Sequence, residues 1–151
     1  MCSSDLEVMA DRILKGGHQV SVYNRSPGKT DQLAKAGATV AKSMLDAVRG
    51  HDVVITMVAD DAALSNVTHD QGLLGALDAG AVHVAMGTHS VDCIRGLGED
   101  HAKAKRGFVA APVMGRPEVV AANEGTVVPG GAADAIAKAK PLFDQIGRAH
   151  V

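Results

Sequence analysis

The chain has 151 residues and a mass of 15.4 kDa, with a formal net charge of −2 and 46% hydrophobic and 21% charged residues. That size fits one domain with one core, and the balance excludes a disordered chain, bulk electrostatic capture of nucleic acid and an apolar run of the ~20 residues that would span a bilayer. Two distant cysteines and 2% aromatic residues offer no disulfide framework, no metal knuckle and no stacking platform for bases, and they suit a reducing cytoplasm.

In chain order, Met9, Ile13 and Leu14 share one face of a helix over Glu7–Lys15, which Gly16-Gly17 should stop. His18–Tyr23 alternates as a strand and ends at Asn24-Arg25-Ser26-Pro27. Pro27 can open a helix over Gly28–Ala36, with Gly37 as its stop. Thr39-Val40 is a short strand, and Ser43 caps a helix through Val48. The run Asp52–Val58 has the near-continuous apolar character of a strand buried on both faces. Asp60 or Asp61 caps the next helix, and Leu73–Leu77 adds a helical turn. Ala81–Met86 is a second central strand, followed by a long helix over Ser90–Arg106 and a strand over Gly107–Ala110. Thr126–Pro129 is a late strand, and Ala132–Gln145 is the last helix. Strands separated by helices predict an α/β fold, a Rossmann-like doubly wound parallel sheet with right-handed crossovers.

The two ends lie outside this pattern. Codons exist for which Cys2–Leu6 and Ile146–Ala149 are antisense to one another, and continued through His150-Val151 they resemble a common sequencing-library adapter. Residues 1–6 and 146–151 are therefore expected to be adapter-derived tails around a domain at 7–145.

Ligands of doubly wound sheets sit beyond the carboxyl ends of the strands, where strand order reverses. The residues to watch are thus Asn24-Arg25-Ser26, Met57-Val58-Ala59, Gly87-Thr88-His89-Ser90 and Met114-Gly115-Arg116. A dinucleotide fold that prefers NAD places Asp or Glu at the end of its second strand, to accept from the ribose 2′-hydroxyl. Asn24 stands there instead, followed by Arg25. A guanidinium can clamp a 2′-phosphate that a carboxylate would repel, and Ser26 can add a hydroxyl or N–H. By itself Asn-Arg-Ser-Pro is an ordinary turn; its place at a strand end makes NADP the expected cofactor.

From Met9 to about Gln145 the chain resembles the NADP-binding domain of the β-hydroxyacid dehydrogenase family, which includes 3-hydroxyisobutyrate and 6-phosphogluconate dehydrogenases. The residues that carry the likeness are Met9-Ala10 and Leu14 before Gly17-His18-Gln19-Val20, then Val22–Pro27, Asp52–Val58, Gly72-Leu73-Leu74, Ala111-Pro112-Val113 with Gly115, and Gly130-Gly131 before a helix. The resemblance implies hydride transfer between NADP(H) and a small hydroxy acid or the corresponding aldehyde or keto acid. It implies cofactor contacts at Asn24, Arg25, Ser26, Met57, Val58, Ala59 and Thr88, and substrate contacts at Ser90, Met114, Gly115 and Arg116. It also implies a homo-oligomeric intact protein, with no nucleic-acid or membrane partner.

Three departures accompany the likeness. The family opens with a strand and a GxGxxG turn that cradles the pyrophosphate; Cys2–Leu6 occupy that place, so the first strand and loop are expected to be missing, leaving Val20 and Val54 without a neighbouring strand. Where the family commonly shows Ser-Thr-x-Ser, Gly87 replaces the first Ser while Thr88 and Ser90 match. In the substrate loop, Ala110, Met114 and Arg116 replace the family's Asp, Ser and last Gly. The family's catalytic Lys belongs to an all-helical second domain, so no catalytic residue is expected here.

Lys103 and Lys105 read as a solvated helix face, and Met57 and Met86 read as core at strand ends. Cys93 reads as an inert buried residue, and the seven histidines lack metal-ligand spacing. His89, at the ligand edge, is expected to make a minor contact at most. Alternatives are an imine-reductase-like NADPH enzyme and a non-catalytic dinucleotide-sensing module. A methyltransferase-like fold would want an acid where Asn24 stands.

Overall fold

The computed structural model describes residues 3–26 and 28–149. Its helices are α1 (Ser3–Lys15), α2 (Asp31–Lys35), α3 (Met44–Val48), α4 (Asp61–Ser65), α5 (Leu73–Ala76), α6 (Val91–Lys103), α7 (Pro117–Ala121) and α8 (Ala133–Ile146). Its strands are β1 (Ser21–Val22), β2 (Thr39–Val40), β3 (Val53–Thr56), β4 (Val82–Ala85), β5 (Gly107–Ala110), β6 (Val113–Met114), β7 (Gly125–Val127), β8 (Gly130–Gly131) and β9 (Gly147–Ala149).

The central sheet has the order β3-β4-β5-β8. Its first three strands are parallel, with Val54 opposite His83 and His83 opposite Phe108. Alternation sends Val82, Val84 and Met86 to one face, where they pack with Met9 and Ile13 of α1 and Ala135, Ala139 and Phe143 of α8. His83 and Ala85 turn to the other face. There Ala85 and Phe108 join Leu64 of α4 and Leu97 of α6. Both faces are thus covered by helices, which is the doubly wound arrangement. Arg12 Nε donates to Gln145 O at 3.1 Å, fastening α1 to the last turn of α8.

The sheet is not wholly parallel as expected. β8 runs antiparallel to β5, and a separate sheet β6-β7-β9 has one antiparallel and one parallel pairing. β1 and β2 form their own parallel ribbon. A Rossmann sheet joins this ribbon and the central strands through its first strand; among the described residues no strand links the β1-β2 ribbon to β3. The consequence is visible in β3. Val53, Val54, Ile55 and Thr56 are all only half-buried, whereas Val82–Ala85 of β4 are fully buried.

Element boundaries differ from the expected ones in ways that have local causes. α1 starts at Ser3 rather than Glu7, with Leu6 packed on the core, and ends before Gly17 at φ +88°. α2 starts at Asp31 rather than Gly28, whose φ of +83° is not helical; Pro27, the expected helix opener, lies outside the described residues. Ile146 completes α8 and is buried, while Gly147–Ala149 pair with β7. Cys93 is half-buried rather than buried, and desolvation raises its thiol pKa.

Candidate functional site

The loops after β3 and β4 meet at the carboxyl edge of the sheet. Asp60 caps α4, its carboxylate accepting from Ala63 N at 2.7 Å, and this leaves Asp61 at the first helical position with its side chain turned toward the next loop. Asp61 Oδ1 accepts from His89 Nδ1 and from Ser90 N, each at 3.1 Å. The Ser90 contacts, followed by the His89 bond and charge, lower the Asp61 pKa and keep it an anion. Ser90 in turn caps α6, accepting from Cys93 N at 3.2 Å, so this expected substrate residue already serves the helix start. Thr88, between these anchors, is exposed.

His89 is folded beneath this loop. Its side chain is 1% exposed, and Nε2 is buried without a hydrogen-bond partner among the described residues. Gly87 makes the space: a Cβ there would lie 2.8 Å from His89 Nε2 and 2.8 Å from Val58 O. A Ser at this position would therefore collide with the ring, which accounts for the departure at Gly87. Met57 packs on the core on the α1 side, Val58 is half-buried against the Leu64 cluster, and Ala59 is exposed.

At the end of β1, Asn24 Oδ1 accepts from Ser26 N at 2.9 Å, closing a turn that leaves Arg25 exposed. Arg25 has no ion pair among the described residues. The structure thus brings Val58 and Asp61 together with Gly87, His89 and Ser90. No hydrogen bond or ion pair among the described residues links them to Asn24–Ser26 or to Met114–Arg116. Met114 is 60% exposed at the end of β6, Gly115 adopts φ +137°, and Arg116 is the exposed residue before Pro117 of α7.

Sequence reasoning missed two clusters. One is the Asp61–His89 pair, whose members stand 28 residues apart with no motif connecting them. The other lies on the opposite face of β4, where His83 and His101 are both fully buried and bonded at 3.0 Å. A carbonyl can only accept, so His101 Nδ1, 2.6 Å from Leu97 O, carries a hydrogen. In the neutral ring its Nε2 then accepts from His83 Nδ1, and His83 Nε2 accepts from the Thr56 hydroxyl at 2.8 Å. All four ring nitrogens of the two histidines are thus used. Desolvation, then the neighbouring His101, push the His83 pKa down to about 3.

A family profile described as the NAD binding domain of 6-phosphogluconate dehydrogenase matches residues 7–151. The chain belongs to this family. It is 37% identical to an NAD-dependent L-serine dehydrogenase of Pseudomonas aeruginosa, covering 93% of this chain and 47% of that protein. It is 30% identical to a 3-hydroxyisobutyrate dehydrogenase of the same organism, again over 93% of this chain and 47% of the relative. Among solved structures, Psf3 in complex with NADP+ and 2-OPP matches with TM-score 0.87 at 26% identity, over 93% of this chain and 50% of that one. The fold alone is shared with the 3-hydroxyisobutyrate dehydrogenase of Mycobacterium tuberculosis, at TM-score 0.91 and 23% identity, over 97% and 50% of the two chains. The chain spans about half the length of the curated relatives it matches. Membership makes this a nicotinamide-dinucleotide-binding domain. No helix among the described residues is long and apolar enough to cross a membrane.

The residues present fit a dinucleotide at its two ends. The β1 turn presents an exposed cation without a carboxylate, and the β3–β4 edge presents a side-chain-free Gly87 above a buried, unpaired ring nitrogen. Between these ends, no Gly-rich turn precedes α1 among the described residues.

Proposed function

We propose that the chain is the dinucleotide-binding half of an NADP-dependent dehydrogenase or reductase, one acting on a small hydroxy acid or the corresponding aldehyde or keto acid. The observation that carries the cofactor choice is the β1 turn: Asn24 spends its side chain on Ser26 N and brings no charge, leaving Arg25 exposed for a 2′-phosphate. The relatives at 37% and 30% identity, named for L-serine and 3-hydroxyisobutyrate, support the substrate class. When bound, the nicotinamide supplies the hydride chemistry. Asn24, Arg25 and Ser26 would hold its adenosine end. Val58, Ala59 and Thr88 would line the nicotinamide end, with Met57 behind them in the core. Met114, Gly115 and Arg116 would face the substrate, Arg116 offering charge to a carboxylate, and Ser90 would do so through whatever bonding its cap leaves free.

The proposal includes a homo-oligomeric intact protein working in the cytoplasm, and adapter-derived tails at residues 1–6 and 146–151. Other codons at both ends of the encoding DNA would overturn the tails. For the function, the test is titration of NADPH against NADH, using a form that carries the family's first strand and Gly-rich turn. NADPH is expected to bind at least about tenfold tighter, the effect of ~1.4 kcal/mol. Tighter binding of NADH would overturn the cofactor choice.

A further inference from the structure

We propose that His89 is a ligand-binding residue of the nicotinamide end: with Nδ1 held by Asp61, its Nε2 accepts a hydrogen bond from an N–H or O–H group of the molecule bound at the carboxyl ends of β3 and β4. This inference rests on the reading of the chain as a nicotinamide-dinucleotide domain.

Four observations carry it. Asp61 is an anion and can only accept, so the hydrogen in the His89–Asp61 bond sits on Nδ1. In the neutral imidazole Nε2 is then a bare acceptor, while Asp61 holds the other ring nitrogen, as second-sphere carboxylates hold histidine ligands elsewhere. That acceptor is the only buried side-chain N or O atom without a partner among the described residues. Leaving an acceptor buried and unsatisfied is unfavourable, and a ligand that donates there removes the penalty. The place also matters. The ring lies beside Val58 O and Gly87, where two adjacent parallel strands end, with exposed Thr88 and Ser90 on either side. Ligands of doubly wound sheets are expected along this edge. Finally, Gly87 offers no side chain, and any Cβ there would lie 2.8 Å from Nε2, so no side chain at position 87 stands between this nitrogen and a ligand. The ring is tucked under the loop, so meeting a ligand requires it to move outward from beneath Gly87. The unpaired Nε2 favours that movement.

Two sources can provide the donor: the carboxamide of the nicotinamide, or the hydroxyl or amino group of a substrate such as L-serine. The experiment follows the imidazole nitrogens of His89 by NMR in the same form used to compare the two cofactors, which carries the family's first strand and Gly-rich turn, labelled with 15N-histidine and with 15N in the backbone. NADP+ and L-serine are added separately and together. Without ligand, His89 is expected to show a protonated Nδ1 and an unprotonated Nε2. On addition of NADP+, the Nε2 resonance is expected to move toward that of a hydrogen-bonded nitrogen. A response to L-serine alone, or only to the pair, assigns the donor to the substrate and supports the proposal equally.

If the backbone amides of Asn24–Ser26 respond to NADP+ while the His89 nitrogens stay fixed under every addition, the role of His89 is overturned and the dinucleotide reading stands. If neither group responds, both fail. As a second measurement, His89→Phe keeps the ring and removes the acceptor, whereas His89→Gln keeps an acceptor. His89→Phe is expected to weaken the responding ligand about tenfold, with His89→Gln weakening it less. Equal losses in the two variants would make the ring a packing element and overturn the proposal.

Discussion

At Arg25 the effect of one side chain can be isolated, because its neighbours are already committed. Asn24 is bonded to Ser26 N and carries no charge, so neither neighbour competes with a phosphate for the guanidinium. A charge-assisted bond of this kind contributes about 1.5–3 kcal/mol. Arg25→Ala is therefore expected to weaken NADPH by about tenfold or more while leaving NADH nearly unchanged, because NADH lacks the phosphate. Asn24→Asp places a carboxylate beside the 2′ position and should shift preference toward NADH. Calorimetric titration of both cofactors against both variants reads this directly, and equal losses for the two cofactors would show that Arg25 only stacks on the adenine. A second residue-scale effect belongs to Thr56. Its hydroxyl donates to His83 Nε2, so Thr56→Val strands a buried acceptor at nearly constant volume. A loss of ~1–3 kcal/mol in denaturant unfolding is expected.

Among the elements, β3 is the least satisfied. Its sequence, Val-Val-Ile-Thr, suits a strand covered on both faces and both edges, yet every residue is only half-buried and, among the described residues, only β4 pairs with it. An apolar edge with free backbone groups templates pairing with another chain. The isolated chain is thus expected to associate with rising concentration. A Lys in place of Val54 should reduce association in light scattering more than it reduces the amount of folded protein. A compact monomer at all concentrations would argue against an open edge. The same strand shows what could be read in advance. Apolar runs located β3, β4 and β5, because a buried strand needs little else, and Ser43 marked a helix start through its cap. The choice between Asp60 and Asp61, left open by sequence, falls to Asp60, and Ser90, read as the first residue of a helix, is its cap. Short, partly exposed pieces were not legible: β6, β8 and α7 are each a few residues long and depend on tertiary pairing rather than a period. The strand-end rule located the site's loops. It did not reveal the Asp61–His89 pair, since nothing in local sequence tells a ring turned inward from one turned to solvent. His83 was hidden by its strand, where it passed as one more residue of an apolar run.

The whole molecule answers to pH through that buried pair. In the folded chain, Thr56, His83, His101 and Leu97 O form a buried row of bonds, and burial disfavours a charge on either ring. Desolvation lowers both pKa values, His83 to about 3, and each ring also feels its surroundings. His83 feels His101; His101 feels the Leu97 carbonyl, His69 and Asp100, the last two bonded to each other at 2.8 Å. In the unfolded chain a histidine takes up a proton near pH 6.5. Between about 6.5 and 3 the unfolded state therefore holds more protons than the folded one, and stability falls as pH is lowered through this window. Above pH 6.5 both states hold neutral rings and the pair adds no slope. The loss amounts to about 1.4 kcal/mol for each unit separating the two pKa values, a few kcal/mol in all. Ordinary carboxylates, titrating near 4, add their own losses lower down, so the diagnostic interval is pH 6.5 to 5. Urea unfolding across that interval should show stability decreasing with acid in the native chain. A His83→Leu/His101→Leu double variant, with Thr56→Val to remove the stranded hydroxyl, should show a nearly flat profile there. An unchanged slope in the triple variant would place the acid sensitivity elsewhere.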